Sequence, residues 1–407
     1  MNRRDFLASS AAATLAAGFL PAPTLALQPV ETKPTDPKPA PAKAPPAPFR
    51  IACAPVLQHP ADDGMTVVFP VTGKSTAWVE YGETEALGRS ACSSEHGLKR
   101  LHDRVHKIRI AGLKPSTRYF YRAYAAPIDF RGPYDIRRLE AVQSPVYSFT
   151  TLDSGKSAVT TFSVINDTHE TRDTLAGVTA RLAAAGTDLT FWNGDVFNDI
   201  RSDQQIVDQF LSPAGAPFAT SSPLVLVKGN HDVRGVAARV FEQYTDSPGG
   251  LCYSIVRRGP VAFLIMDTGE DKPDDHKVYG GLNDFAAYRT VQRAWLEKAI
   301  TDPAFASAPY RVAMMHIPLV GDGASIDSRD KWHDLLVKGR VQLIISGHIH
   351  KYSYSEPDTQ RPYGQLIGGG PKPEAATFIR GKADQSGLEV VMTDLGGKEL
   401  GVYRFKA

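Results

Sequence analysis

Cysteine is scarce in this chain: its 407 residues include only Cys53, Cys92 and Cys252. Three cysteines cannot build a disulfide scaffold, and their spacings do not match the paired-cysteine pattern of a zinc ribbon. An excess of one charge is also lacking. Lys and Arg number 46 against 44 Asp and Glu, a net charge of +2 with no long run of either sign. Neither nucleic acid nor an anionic membrane is therefore required as a partner. The Ala-rich apolar run from Leu7 to Leu20 falls short of the roughly 20 residues that a membrane-spanning helix needs, so no stable span is expected. What remains is a composition of 42% hydrophobic and 22% charged residues, which excludes wholesale disorder, collagen and coiled coil. The length exceeds what one hydrophobic core serves, so two domains are expected.

The first 48 residues do not belong to that fold. Asn2-Arg3-Arg4-Asp5-Phe6-Leu7 precedes the apolar run, and Ala-x-Ala-like choices follow near Ala26. Charge, then an apolar stretch, then small residues is the layout of a secretory signal over 1–27. The paired arginines before Phe6-Leu7 resemble the twin-arginine signal of bacterial export. That resemblance implies passage through the twin-arginine machinery and a periplasmic or secreted destination. Residues 28–48 are rich in Pro, Ala and Lys without apolar periodicity, and read as a semi-rigid linker.

From Phe49 to about 152 the pattern changes to short β runs. Met65–Val71, Thr76–Tyr81, Val105–Ile110, Arg118–Tyr124 and Pro145–Thr151 are rich in β-branched and aromatic residues, which predicts a β-sandwich. Leu113-Lys-Pro-Ser-Thr-Arg-Tyr119 resembles the tyrosine corner of fibronectin type III domains. His59, His96, His102 and His106 lack partners at ligand spacing and are expected to be structural. An oxidising compartment would permit a Cys53–Cys92 bridge.

Between 158 and 407 strands alternate with helical runs, the texture of an α/β layered fold. Strands are predicted at Val159–Asn166, Asp188–Asn193, Pro223–Lys228, Val261–Asp267, Arg311–His316 and Val341–Ser346. Helical runs are predicted at Thr171–Ala185 and near 203–211, 235–244, 285–300 and 329–338. Several of these strands end in polar blocks: Asp167-Thr-His169, Gly194-Asp195, Gly229-Asn230-His231-Asp232, His316 and Gly347-His348-Ile-His350. Carboxyl ends of strands are where open α/β sheets bind ligands. Carboxylate, amide and imidazole without thiolate suit two hard or borderline divalent cations. The neighbouring glycines are expected to let the backbone turn sharply beside the ligands. His276 and His333 lack such company and are expected at the surface. Cys252 is expected to be inert in an apolar strand.

These five blocks, in this order, resemble the calcineurin-like metallophosphoesterases. The preceding domain is similar to the N-terminal fibronectin type III-like domain of purple acid phosphatases. The resemblance implies a four-layer α/β sandwich preceded by a β-sandwich. It also implies a ligand set: Asp167, His169 and His350 on a first metal, Asp195 bridging, and Asn230, His316 and His348 on a second. The ions, divalent or mixed-valence, would be Fe, Mn or Zn. His231 would face the substrate, oriented and kept cationic by Asp232, either donating a proton to the leaving oxygen or stabilising the transferring group.

One position departs from purple acid phosphatases. Their metal-binding tyrosine, three residues after the Asp of the Gly-Asp block, is replaced here by Asn198, expected either to contact the substrate phosphate or to cap the turn. The implied activity is hydrolysis of a small phosphomonoester by a dimetal centre. Alternatives are a phosphodiesterase, served by the same metals, and a non-catalytic binding protein, which predicts decay among the site residues; none is missing.

Overall fold

The computed structural model describes residues 48–407 apart from Ser154, Asp322 and Ala324. The leader expected over 1–27 and the linker over 28–48, Pro48 excepted, lie outside the described residues. No helix among the described residues is long and apolar enough to cross a membrane.

Two antiparallel sheets build the first part. Val56–Gln58, Gly64–Pro70 and Val105–Ala111 form one, and Ser75–Gly82 and Arg118–Gly132 anchor the other. Alternation sets their facing: Tyr119, Tyr121 and Ala123 are fully buried while Phe120, Arg122 and Tyr124 are half-buried. The inward residues of both sheets meet in one cluster, with Val67, Phe69 and Ile108 against Val79, Tyr119, Tyr121 and Phe149, the packing of a β-sandwich. The Tyr119 hydroxyl accepts from the Lys114 backbone N–H at 3.0 Å, closing the corner suggested by the LxPxTxY pattern. Arg118–Gly132 runs eight residues past the expected end at Tyr124, through Pro127, and pairs with Asp135–Arg138 in a protruding hairpin. Pro within an apparent strand normally argues against it. Cys53 and Cys92 are both free thiols, so no bridge joins them. His106 is buried beside Ser75, 3.0 Å from its hydroxyl, and burial pushes its pKa down to about 4.

The second part has four layers. One sheet runs Leu224–Val227, Leu189–Asn193, Thr160–Ile165, Thr377–Ala383, Leu388–Asp394 and Glu399–Phe405; its first three strands are parallel and the rest antiparallel. The other runs Ser254–Arg258, Val261–Ile265, Tyr310–Met314, Leu343–Ser346, Gly364–Ile367 and Ser353–Ser355, with parallel pairing through its four inner strands. Strands buried on both faces read as continuous apolar runs, as Val261–Ile265 does. Phe162, Phe191, Phe263, Val312 and Ile345 fill the space between the sheets. The helices Phe285–Ala299 and Ile326–Lys338 cover the second sheet through Leu296, Trp332 and Leu336. The first is covered by Arg172–Ala185 and by residues 203–219, where two π-helical turns interrupt the helix. The helix expected near 235–244 is a 3₁₀ turn, Ala238–Gln243. Cys252 precedes the strand Ser254–Arg258 rather than lying in one, and burial raises its pKa. His333 is half-buried, its Nδ1 2.8 Å from the Tyr363 hydroxyl.

The two parts share a core. Val56, Val68 and Val105 of the sandwich lie in one cluster with Phe210, Phe218 and Phe241. The buried Tyr121 hydroxyl donates to the Thr220 carbonyl at 3.0 Å, and Asp246 accepts from Thr66 at 2.6 Å. The sandwich is therefore docked, not tethered.

Candidate metal centre

The polar blocks converge at the carboxyl ends of parallel strands from both sheets. Asp167 and His169 follow Thr160–Ile165, Asp195 follows Leu189–Asn193, and Asn230 follows Leu224–Val227. From the second sheet, His316 follows Tyr310–Met314, and His348 and His350 follow Leu343–Ser346. Five of these seven residues hold positive φ without being glycine: Asp167 (48°), His169 (43°), Asp195 (52°), His348 (72°) and His350 (58°). Such conformations are uncommon for residues with a Cβ and cluster at functional sites. The glycines beside them work differently from expectation. Gly194 does take φ 81°, but Gly229 does not need a positive φ. What Gly229 supplies is room, since a Cβ there would lie 2.2 Å from Asp195 Oδ1.

Ligand atoms of Asp167, His169, Asp195 and His350 all lie within 4.8 Å of one another, and so do those of Asp195, His316 and His348. Asp195 belongs to both groups. His316 Nε2 is 3.1 Å and His169 Nε2 3.3 Å from Asp195 Oδ2. His350 Nε2 is 3.3 Å from Asp167 Oδ1. Asn230 Oδ1 joins the second group, 3.0 Å from His348 Nδ1.

Three observations show that these donors fit cations. His169 and His350 point their Nε2 atoms at each other. His316 Nδ1 lies 2.8 Å from the Asn193 carbonyl, which can only accept, so Nε2 is the free ligand atom; it is buried and has no hydrogen-bond partner. The electrostatics agree. Burial opposes charge on His316, but Asp195 and Asp167 outweigh it and push its pKa up to about 10. Burial likewise opposes charge on His169, and hydrogen bonding to Asp167 and Asp195 raises it to about 9. Burial favours neutral Asp167, yet His316, His169 and His350 hold its carboxyl down at about 2. A pocket that would charge a fully buried imidazole is one that calls for positive ions.

Asp232 does not do what adjacency suggested. Its carboxylate accepts from the backbone N–H groups of Asp195, Val196, Phe197 and Gly229 at 2.9–3.4 Å, pinning the loop that carries Asp195 to the loop that carries Asn230. Burial and the Asp195 charge push it up to about 7. The His231 ring instead places Nδ1 2.7 Å from the Asn198 carbonyl and Nε2 3.0 Å from Arg234. It packs edge-on against His169, with centroids 4.7 Å apart. Burial lowers its pKa, so it is not kept cationic. Asn198 donates from its amide to the His169 carbonyl and to Glu170, tying together the loops that carry His169 and Asp195. Residues missed by sequence reasoning are Asn193, Glu170, Arg234 and Glu270. None carried a local signal: Asn193 acts on His316 through its backbone carbonyl, which any residue type would supply.

Residues 160–352 match the calcineurin-like phosphoesterase family. Among curated proteins the chain is similar to purple acid phosphatase 22 of Arabidopsis thaliana, at 22% identity over 71% of this chain and 64% of that protein. It is also similar to purple acid phosphatase 23 of the same plant, at 23% over 61% of this chain and 57% of that protein. The human serine/threonine-protein phosphatase CPPED1 matches at 24% over 32% of this chain and 42% of its own length. The chain thus spans less than two thirds of the plant relatives it matches. Among solved structures, the yellow lupin purple acid phosphatase PPD1 superposes with a TM-score of 0.66 at 17% identity, covering 86% of this chain and 74% of that one. PhoD superposes with 0.58 at 12%, covering 88% and 90%. With the matching sequence blocks, the four layers and the paired Asp/His clusters in hand, residues 160–352 of this chain are a calcineurin-like metallophosphoesterase domain.

Proposed function

We propose that this chain hydrolyses phosphate esters, phosphomonoesters foremost, at a dimetal centre held by Asp167, His169, Asp195, Asn230, His316, His348 and His350. The observation that carries the reading is the carboxylate of Asp195, shared between two clusters of donors. Two divalent ions held there would supply Lewis acidity and a nucleophilic water at neutral pH. The protein supplies the rest. Asp167 and Asp195 would offset the charge of the ions, and the Asn193 backbone carbonyl fixes the His316 ring so that Nε2 faces inward. Asp232 holds the Asp195 loop by its backbone, while His231 stands beside His169, where an incoming ester would meet it.

The likeness to purple acid phosphatases supports the same reading, as does the similarity of the sandwich to a fibronectin type III domain. The leader supports twin-arginine export to the periplasm or beyond. The experiment is to load the purified protein with Mn²⁺, Zn²⁺ or Fe²⁺ and compare turnover of p-nitrophenyl phosphate with that of bis(p-nitrophenyl) phosphate. Faster monoester hydrolysis is expected. A preference for the diester would make the enzyme a phosphodiesterase, and no turnover of either by any metal form would sink the proposal.

A further inference from the structure

His231 is pinned at both ring nitrogens, and the group on its far side comes from an unexpected place. The Asn198 carbonyl at Nδ1 can only accept, so Nδ1 carries the proton. At Nε2, 3.0 Å away, stands Nη1 of Arg234. A guanidinium has donors only, so Nε2 offers it a lone pair. Plane, tilt and tautomer of the imidazole are all set by these two contacts. The local fold makes the second one possible. His231–Val233 is a single 3₁₀ turn, and Arg234, the residue that leaves it, comes back to the Nε2 edge of the His231 ring.

Arg234 is itself immobilised. Its Nε and Nη2 grip Glu270 at 2.9 and 2.6 Å, and Nη2 also reaches Asp271 at 3.0 Å. The Glu270 side chain is only 1% exposed, buried beneath the guanidinium it holds. Forked pairs of this kind fix direction as well as position. Two carboxylates already offset the charge of this one guanidinium, which suits a brace better than a clamp for an anionic substrate.

We infer that Arg234 is the positioning residue of His231, and that Glu270, acting through it, couples the loop after Val261–Ile265 to the chemistry of the loop after Leu224–Val227. This rests on the phosphoesterase reading above, because His231 stands edge-on to His169 and any shift of its ring is a shift beside the metal ligands.

The test uses the full chain loaded with Mn²⁺ and compares wild type with Arg234→Ala, Arg234→Lys and Glu270→Gln. Misplacing a catalytic group by an ångström costs on the order of 100-fold, so Arg234→Ala is expected to lower kcat for p-nitrophenyl phosphate by about 10- to 100-fold. KM should move by less than about threefold, since positioning is not ground-state binding, and metal content should match wild type. Arg234→Lys should recover part of the loss, because an ammonium still donates to Nε2 but cannot form the fork. Glu270→Gln should fall between wild type and Arg234→Ala, and added guanidinium ion should partly restore the alanine variant. An unchanged kcat overturns the inference. So does a large rise in KM alone, which would make Arg234 a substrate-binding group. Imidazole ¹⁵N spectra separate this from failure of the phosphoesterase reading. Even without turnover, Nδ1 of His231 should stay protonated in both proteins, held by the Asn198 carbonyl, while the Nε2 resonance shifts in Arg234→Ala as its donor is lost. Identical His231 spectra in the two overturn the inference regardless of activity.

Discussion

The Nε2 atoms of His169 and His350 lie 3.0 Å apart although 181 residues separate them in the chain. Both residues hold left-handed backbone, and both direct the same ring nitrogen inward. Their meeting point is also where Asp167 and Asp195 bring their oxygens. This group of donors is thus assembled from side chains of both sheets, and its geometry depends on how the two sheets pack through Phe162, Phe191 and Phe263.

Because Asp195 serves both groups of donors, Asp195→Asn should cost more than the 10- to 100-fold typical of residues that merely support a ligand. Activity is expected to fall by more than about 100-fold while the fold is retained. Elemental analysis should find fewer than two metals per chain. Two bound metals with a near-native rate would show that Asp195 does not bridge.

Asp232→Asn should act on stability first. The amide must turn its NH₂ toward backbone donors that now lose their acceptor, and a buried unsatisfied group costs about 1–3 kcal/mol. The melting temperature should therefore drop by several degrees, with the two ligand loops loosened and metal affinity reduced. An unaltered melting temperature, together with a rate loss confined to poor leaving groups, would restore the role of Asp232 as partner of His231.

With Asn198 where purple acid phosphatases carry a tyrosine, no phenolate is expected on the first metal. Asn198 is occupied between His169 and Glu170, and Tyr354 packs on Tyr403 with centroids 4.1 Å apart. The protein as purified should be colourless or pale and activated by added Mn, Zn or Fe(II). A charge-transfer band in a visible absorption scan would contradict this, with Tyr352 as the next tyrosine to replace.

Changing Arg3 and Arg4 to Lys should leave unprocessed precursor in the cytoplasm of a bacterium with twin-arginine export. Fractionation is the readout. Unchanged mature protein outside the cytoplasm would leave an ordinary secretory signal in place of the twin-arginine one.

Much of the α/β part was legible because its strands are apolar on both faces and end in polar blocks that name themselves. The residues that gather in the two Asp/His clusters were legible for the same reason: each sits in a short block after a strand. Partnerships were not. Asp232 follows His231 directly, yet its carboxylate turns to backbone amides of a loop more than thirty residues upstream. Arg234 finds Glu270 on a loop 36 residues downstream. Nothing in a linear pattern marks a contact of that kind. The strands Thr377–Ala383, Leu388–Asp394 and Glu399–Phe405 went unread because their outward positions are polar or charged, as in Thr377–Ala383 with its exposed Arg380 and Lys382, so no long apolar run announces them. The far end of Arg118–Gly132 was hidden by its proline.

The left-handed backbone at Asp167, His169, Asp195, His348 and His350 restricts how such a site can change over evolutionary time. Each of these residues bears a conformational cost of roughly 1–2 kcal/mol that glycine would relieve. At every one of the five positions, then, the substitution that relieves the backbone is the one that removes a donor from the two clusters. Relief of the backbone strain and loss of a donor therefore come in the same single step at each of these positions.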